Sequence, residues 1–589
     1  MSSVLRSEYP RPDKVRKEWM SLNGTWGFAF DDENRGTKER WFQDLSKLNQ
    51  QIVVPFPYQA KASGIGTSEY HPIVWYGRRF SVPANWDKRT ILHFGAVDYE
   101  ATVWVNGVYV GSHQGGYVPF SFDITDLLQP GENEVVLRVV DMARIDQPRG
   151  KQSARDKSWA CWYTPVTGIW QSVWLEHLDR IHIKDFYLVP DIENQCLLIE
   201  YTLSEVVEGL SLEATVLCEG KQIVQQDVTV SPLYTRWSNI TPMDVAKMSV
   251  PVPQARLWSV EDPFLYDLTL TLKRDGQIVD EIKTYFGMRE VTRKHGQVYL
   301  NGRPCYQRLV LDQGYWAEGI YTPRSVEDLK KDVELIKALG FNGVRKHQKI
   351  EDPYFYYYCD KLGLLVWSEM PACYEYTETG AENLRREWTK AVLRDRNHPS
   401  IIAWVPMNES WGVDQLFRSV DSRIVAYLES LYYHTRSLDH TRLVVSNDGW
   451  QHGTTDLLTI HEYTQDAKDL KRRFQAFADN PNATTFSHNR ETLLDGFKLT
   501  DQPIIVSEFG GVKIEDGQSG WGYGNAAKDA EDMLNRVSQL VDALLSFSQI
   551  AGYCYTQLTD VEQEVNGLLT IDRQPKADLE RLRQIFTRR

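Results

Sequence analysis

The sequence predicts a multidomain β plus α/β protein, with two β-sandwich units followed by a (β/α)8 TIM barrel. Up to about residue 290 the chain is built of short segments that alternate apolar and polar residues between Gly, Pro, Asn and Asp turns. Beyond that point the apolar period becomes helical, and eight short β-rich runs recur, mostly with helical segments between them. At 589 residues the chain also exceeds one ordinary core, so about two to four domains are expected.

In the first part, "ATVWVNGVYVGS", "ENEVVLRVVD" and "IWQSVWLEHL" read as half-buried strands. Asn106-Gly107 supplies the positive-φ pair of a type I′ turn, making "VWVNGVYVG" a hairpin. A second β stretch, from about 182 to 290, holds "LSLEATVLCEGKQIVQQDVTV" and "LYDLTLTLKRDGQIVDEI", with the strand spacing of an immunoglobulin-like sandwich.

After residue 290, "SVEDLKKDVELIKALG" aligns Val326, Leu329, Val333, Ile336 and Leu339 on one helical face, with Ser325 as N-cap and Gly340 as terminator. The strand-like runs are "CYQRLVL", "FNGVR", "LGLLVW", "SIIAWVPMN", "TRLVVSND", "DLLTIHEY", "QPIIVSEFG" and "QIAGYCYT", with helical segments at 381–396, 414–432 and 526–545. Catalytic groups of such a barrel sit at the C-terminal strand ends. Polar residues cluster there: Arg345, Glu369, Asn408, Glu409, Asn447, Asp448, His461, Tyr463, Glu508 and Gln557.

Two strand-end carboxylates are what glycosidic cleavage needs, one to protonate the leaving oxygen and one to meet the anomeric carbon. Glu409 and Glu508 fill those parts, although a strand-end Glu can also simply pair with an Arg. Their contexts favour chemistry. Asn408 can donate to a sugar hydroxyl, and Gly510-Gly511 lets the backbone turn closely past Glu508. A buried Arg345 requires a carboxylate partner, for which Glu508 is the natural choice, and this pairing would keep Glu508 ionised. The charge on Glu508 would in turn raise the pKa of Glu409 and hold its proton.

Other chemistries fare worse. The formal charge is −14, from 66 Lys and Arg against 80 Asp and Glu, with no long basic run interleaved with aromatics, which disfavours nucleic acid. There is no apolar signal core and no membrane-length apolar stretch, so a cytoplasmic protein without a membrane partner is expected. Seven scattered cysteines without a C-x-x-C pair fit reduced thiols, most of them in cores. The sequons at Asn239, Asn408 and Asn482 carry little weight without a secretion signal. No H-E-x-x-H, Walker loop, dinucleotide fingerprint or G-x-S-x-G occurs, so no metal and no cofactor are expected. The 19 Trp and 30 Tyr suit sugar faces as well as sandwich cores.

"RKEWMSLNGTWGFAFD", "VWVNGVYVGSHQGGYVPFSFDIT", "TGIWQSVWLE", "LWSVEDPFLYDLTLTL", "YFGMREV", "LRDRNHPSIIAWVPMNES" and "PIIVSEFGG" together resemble glycoside hydrolase family 2, the family of β-galactosidases, β-glucuronidases and β-mannosidases. The resemblance implies a jelly-roll sugar-binding domain over 1–181, an immunoglobulin-like domain over 182–290 and a catalytic barrel over 291–589. It implies retaining double displacement with Glu409 as acid/base, Glu508 as nucleophile and Asn408 on the sugar 2-OH. His461 and Tyr463 fall where related enzymes present an Asn or His and a Tyr near the nucleophile.

Departures from the family pattern bear on the sugar. Leu309, Val310, Leu311 and Asp312 replace Asn-Arg-His-Glu after the first barrel strand, and His347, Gln348 and Lys349 replace Ser-His-Tyr. "YTQLTDVEQEVNGLLTIDRQPK" lacks the Asn-x-Lys pair that β-glucuronidases use on the substrate carboxylate, and Trp162 falls where an Asp enters the site from the first domain. Lys349 reads as a replacement carboxylate anchor or as a solvated strand-end lysine. His347, Glu369 and Trp162 complete the expected substrate-binding set. The expected function is a retaining exo-glycosidase acting on a terminal sugar, a β-galactoside first and a uronic acid, mannose or arabinose glycoside next. A catalytically silent carbohydrate-binding protein is the rival from another class. A homo-oligomer is left open.

Overall fold

The computed structural model describes residues 5–155, 157–230, 245–413, 421–480, 486, 490–515, 517 and 519–588. Its first part is a sandwich of a six-stranded and a four-stranded antiparallel sheet. Inward residues of both sheets, among them Trp26, Phe28, Tyr76, Leu92, Phe94, Val103, Leu137 and Leu175, form one apolar core. The expected hairpin pairs Glu100–Val105 with Val108–Gln114. Asn106 and Gly107 take φ of 50° and 75°, as a type I′ turn requires.

The second part stacks a three-stranded sheet on a four-stranded one, around a core that includes Ile183, Leu197, Leu212, Leu268, Ile282 and Met288. Of the sequons, Asn239 and Asn482 lie outside the described residues. The seven cysteines are free, but only Cys359, Cys373 and Cys554 are buried, fewer than expected. No helix among the described residues is long and apolar enough to cross a membrane.

Eight parallel strands follow: β1 (Gln307–Asp312), β2 (Gly343–Lys346), β3 (Leu365–Glu369), β4 (Ile401–Val405), β5 (Leu443–Val444), β6 (Leu458–His461), β7 (Ile504–Gly510) and β8 (Ile550–Thr556). They pair in the order β5-β4-β3-β2-β1-β8-β7-β6. The seam between β5 and β6 is bridged beyond β5 by Gly449 N donating to Thr459 Oγ1 at 2.8 Å and His461 N donating to Gly449 O at 3.4 Å.

Helix α1 (Val326–Ala338) begins at a capping box in which Ser325 and Asp328 exchange bonds, and buries Leu329, Val333 and Ile336. Helix α2 (Pro353–Leu362) is one the apolar periodicity did not reveal, because "PYFYYYCDKL" is aromatic nearly all round. Helix α3 (Glu378–Asp395) covers the expected 381–396 segment. Helix α4 (Ser422–Leu438) overlaps the expected 414–432 segment and ends six residues beyond it, and residues 414–420 of that expectation lie outside the described residues. Helices α5 (Ala467–Asp479), α6 (Ala530–Leu545) and α7 (Leu579–Phe586) complete the outer layer.

After the sandwich strand Glu132–Val140, residues 141–155 and 157–167 leave the sheet and lie across the C-terminal strand ends of the barrel. Arg149 N and Gly150 N donate to Ala372 O, each at 3.0 Å, and Asn383 Nδ2 donates to Asp146 O at 3.1 Å. On the far side Tyr163 Oη donates to Glu564 and Thr164 N to Glu562 Oε1 at 2.9 Å. Inside this strap, Arg149 Nη1 donates to Asp141 Oδ1 at 2.9 Å, with both side chains about 1% exposed. Removing one partner of such a pair strands a buried charge at a cost of ~3–5 kcal/mol. Asp141→Asn is therefore expected to lower the melting temperature and to increase protease cleavage within 141–167, followed by calorimetry and limited proteolysis; an unchanged melt would refute the strap's dependence on this pair.

Candidate active site

The site is built on strand ends. Alternation along β2 turns Arg345 into the barrel, where it is fully buried. Its Nε donates to Glu369 Oε2 at 2.7 Å, its Nη1 to Glu508 Oε1 at 2.7 Å, and its Nη2 to Asn408 Oδ1 at 2.7 Å. Asp448 Oδ2 lies 3.0 Å from the same guanidinium. The expected Arg345–Glu508 pair is present, and Glu369 and Asp448 join it.

Just beyond β4 the backbone turns sharply. Glu409 and Ser410 adopt φ of 52° and 56°, a left-handed conformation that non-glycine residues rarely take. It is held by Glu409 N donating to Asp448 O at 2.8 Å and Ser410 N donating to Asn447 Oδ1 at 2.9 Å. The turn brings Glu409 Oε1 to 2.7 Å from His461 Nδ1, while Trp411 Nε1 donates to Glu409 Oε2 at 2.9 Å. The other His461 nitrogen, Nε2, lies 2.8 Å from Asp448 Oδ2. Carboxylate oxygens face both ring nitrogens, an arrangement that favours the imidazolium form of His461.

Glu508, on β7, receives Arg345 at one oxygen and the Tyr463 hydroxyl, 2.5 Å away, at the other. Tyr463 is fixed by Thr556 Oγ1 at 3.1 Å and by stacking on Tyr523, with ring centroids 3.5 Å apart. Gly510, at φ 87°, leaves no room for a Cβ, which would meet the Tyr555 ring at 2.3 Å. The Glu409 side chain keeps 15% of its surface exposed and Glu508 keeps 7%, so the opening reaches both.

The electrostatics correct one expectation. Burial pushes the Glu409 carboxyl up, but the hydrogen bond and charge of His461 prevail and hold it at about 2. Burial lowers His461, yet the charges of Glu508 and Asp448, together with its bonds to Asp448 and Glu409, raise it to about 10. Where Glu508 was expected to hold a proton on Glu409, the bond and charge of His461 instead favour an ionised Glu409 beside a protonated ring. Burial carries Glu369 up to about 7 despite Arg345. His347 is pushed well below its ordinary value by burial and then by Arg345, and its Nδ1 lies 2.9 Å from Glu369 Oε1.

The structure brings together Arg345, His347, Glu369, Asn408, Glu409, His461, Tyr463 and Glu508. Trp162 reaches the rim from the strap, edge-on to Trp411 with ring centroids 5.4 Å apart. Lys349 departs from both sequence readings. It is fully buried, and its ammonium donates to Gly314 O at 2.7 Å and Tyr321 O at 2.9 Å and pairs with Glu351 Oε2 at 2.9 Å. It ties the loops after β1 and β2 together, because Glu351, two residues on, folds back as its partner.

Asp448, Trp411, Lys151, Tyr523 and Glu564 are site residues to which the sequence analysis gave no role. Trp411 stood in the same "NESWG" stretch as Glu409 and was within reach of a closer reading; Lys151 lies in a strap with no motif at all. Glu409, His461 and Glu508 also present donor atoms within 4.8 Å of one another, and a divalent cation would occupy that set only by displacing the proton between Glu409 and His461.

Three family models match the chain: the sugar binding domain of glycosyl hydrolases family 2 over residues 19–178, the central family 2 domain over 181–289, and the family 2 TIM barrel domain over 291–588. A β-galactosidase of Thermoanaerobacter pseudethanolicus is 31% identical over 409 residues, which is 68% of this chain and 51% of that protein. A putative β-glucuronidase of Formosa agariphila is 29% identical over 62% of this chain and 44% of its own length. The chain thus spans about half the length of these relatives. A β-glucuronidase of Paenibacillus borealis is 24% identical over 97% of both chains. The fold matches that of the Ruminococcus gnavus β-glucuronidase in complex with D-glucuronic acid, with TM-score 0.78, 20% identity, and 99% of this chain and 100% of that one covered. With models covering all three of its parts, the chain belongs to glycosyl hydrolases family 2.

Proposed function

We propose that the protein is a retaining exo-glycosidase that removes a terminal sugar by double displacement, with Glu508 as nucleophile and Glu409 as acid/base. The observation that carries this reading is the closeness of the two acids, whose nearest donor atoms lie within 4.8 Å with His461 between them. Retaining enzymes hold their carboxyl groups about 5–5.5 Å apart, whereas inverting ones leave about 6.5–9.5 Å for a water.

Arg345 and Tyr463 grip the two oxygens of Glu508 and fix it for attack on the anomeric carbon. As the bond to the leaving oxygen stretches, Glu409 passes on the proton shared across its 2.7 Å contact with His461. In the second half-reaction the same pair takes a proton from water. Asn408 Nδ2 is buried and has no partner among the described residues, which suits donation to the sugar 2-OH.

We assign these roles to a barrel over 291–589, preceded by a sugar-binding sandwich over 1–181 and a middle sandwich over 182–290, a division supported by the separate cores of the two sandwiches. A β-galactoside, the first expectation for the sugar, draws support from the name of the 31%-identical relative. The uronic acid alternative draws support from the relative matched over 97% of its length.

Glu508→Gln is expected to lower kcat by more than about 10⁴-fold on nitrophenyl glycosides. Glu409→Gln should cost about 10²–10⁴-fold on alkyl glycosides and far less on dinitrophenyl glycosides, whose leaving group needs no proton. The first-formed sugar should keep its anomeric configuration by NMR, and inversion would overturn the mechanism.

The Glu409–His461 pair also sets a pH dependence of stability. His461 stands at about 10 when folded against an ordinary 6.5, so its contribution is full below pH 6.5 and is lost as pH rises through 10. Glu409 stands at about 2 against 4.5, so its contribution is present above pH 4.5 and is lost as pH falls toward 2. Melting temperatures measured across this range should fall on both sides, and His461→Asn should flatten the alkaline fall.

A further inference from the structure

Glu409 faces two ways. Its Oε1 meets His461 Nδ1 at 2.7 Å, and the same nitrogen lies 3.5 Å from Glu508 Oε2, so this oxygen is on the nucleophile's side. Its Oε2 turns to the indole of Trp411, whose Nε1 donates to it at 2.9 Å. A sugar held for attack by Glu508 lies on the first side, and the group that leaves it extends toward the second. Trp411 is where that second side begins.

Further rings gather there from the sandwich strap. Trp162 meets Trp411 edge-on with centroids 5.4 Å apart and Tyr374 edge-on at 6.1 Å, and it stacks on Trp159 at 4.5 Å. Trp159 and Trp162 close a tight hairpin, each backbone N donating to the other's O at 2.9 Å, with Ala160 at φ 46° between them. Barrel loops pin its tip. Trp521 Nε1 donates to Ala160 O at 2.8 Å, and Gln563 Nε2 donates to Ala160 O at 2.8 Å and to Trp162 O at 3.0 Å. Trp159, Trp162, Tyr374 and Trp411 are each half-buried, so the cluster keeps part of its surface open.

Donors along this wall are already committed: the Trp411 N–H to Glu409, the Tyr374 hydroxyl to Gln152 O and the Trp521 N–H to Ala160 O. Sugar hydroxyls pressed against these groups would lose water without gaining partners, whereas a flat apolar group trades water for ring contact. We propose that Trp162 and Trp411, backed by Trp159 and Tyr374, form the leaving-group subsite and that it takes a flat aromatic aglycone in preference to a second sugar, a role that rests on the glycosidase reading above. Selectivity for the leaving group then comes from the sandwich domain as well as from the barrel.

The test takes the sugar cleaved best as its nitrophenyl glycoside and compares its benzyl, naphthylmethyl, cyclohexylmethyl and methyl glycosides, whose leaving alcohols are of similar acidity, with its disaccharide to glucose. The benzyl and naphthylmethyl members should exceed the methyl glycoside and the disaccharide in kcat/KM by about 10- to 100-fold. Glucose is the better leaving group, so a lead over the disaccharide cannot come from acidity. Trp162→Ala should cut the aromatic advantage to less than about threefold, Trp162→Phe should keep most of it, and Trp159→Ala, a second variant that leaves Trp162 in place, should lower it in part. Equal rates on aromatic and methyl members, a cyclohexylmethyl glycoside cleaved as well as the benzyl one, preference for the disaccharide, or an advantage that survives Trp162→Ala would overturn the proposal.

Sulfur-linked glycosides, which resist hydrolysis, separate this proposal from the hydrolase reading. Benzyl and methyl thioglycosides of galactose, glucuronic acid, mannose and arabinose are titrated by calorimetry into the wild type and Trp162→Ala. Tighter binding of a benzyl member than of its methyl counterpart, lost in Trp162→Ala and without cleavage of any oxygen-linked glycoside, would sink the hydrolase and leave the subsite standing. Binding without that selectivity, or no binding of any benzyl member, would sink the subsite, and cleavage of the nitrophenyl glycosides would then leave the hydrolase standing without it.

Discussion

The site depends on one guanidinium. Arg345, fully buried at the end of β2, binds carboxylates that arrive from the end of β3, from the turn after β5 and from β7, together with the amide that precedes Glu409. Its planar fork satisfies several acceptors at fixed angles, which a lysine at the same place could not do. Four acids or amides from separate strands would repel one another or stand unpaired without it. With it they converge within hydrogen-bond distance of a common centre.

Asp448 transmits that order to the second acid. One of its oxygens lies 3.0 Å from Arg345 and 2.8 Å from His461 Nε2, and His461 Nδ1 then faces Glu409 at 2.7 Å. Positive and negative groups alternate along this line, each desolvated and each satisfied by its neighbours. Such a chain resists rearrangement, because moving any one member leaves the next buried and unpaired. A separate buried set, Lys346, Lys349, Asp312 and Glu351, braces the loops after β1 and β2 without entering the line.

Much of this was legible from local pattern. The eight strands, the capped helix α1, the Asn106-Gly107 hairpin and the pairing of Arg345 with Glu508 follow from periodicity, turn chemistry and the cost of a buried charge. The imidazolium on His461 was not legible, since β4 and β6 meet only once the barrel closes, and two carboxylates then compete for one ring. For the same reason the proton was expected on Glu409. Lys349 misled because its partner Glu351 lies two residues away, a spacing that says nothing of a loop folding back. The strap carried no signal, because its contacts with Ala372, Asn383, Glu562 and Glu564 join parts of the chain far apart in sequence.

The strap has a consequence for how the molecule comes into being. Tyr163 and Glu564, which meet at the pocket wall, are separated by 401 residues of chain. During synthesis the sandwich that carries the strap emerges and folds long before the last barrel strands leave the ribosome. Its polar groups must wait in water for acceptors not yet made, so the sugar cleft can be completed only when nearly the whole polypeptide is present. Fragments that stop short of residue 564 would hold a folded sandwich with an unfinished wall.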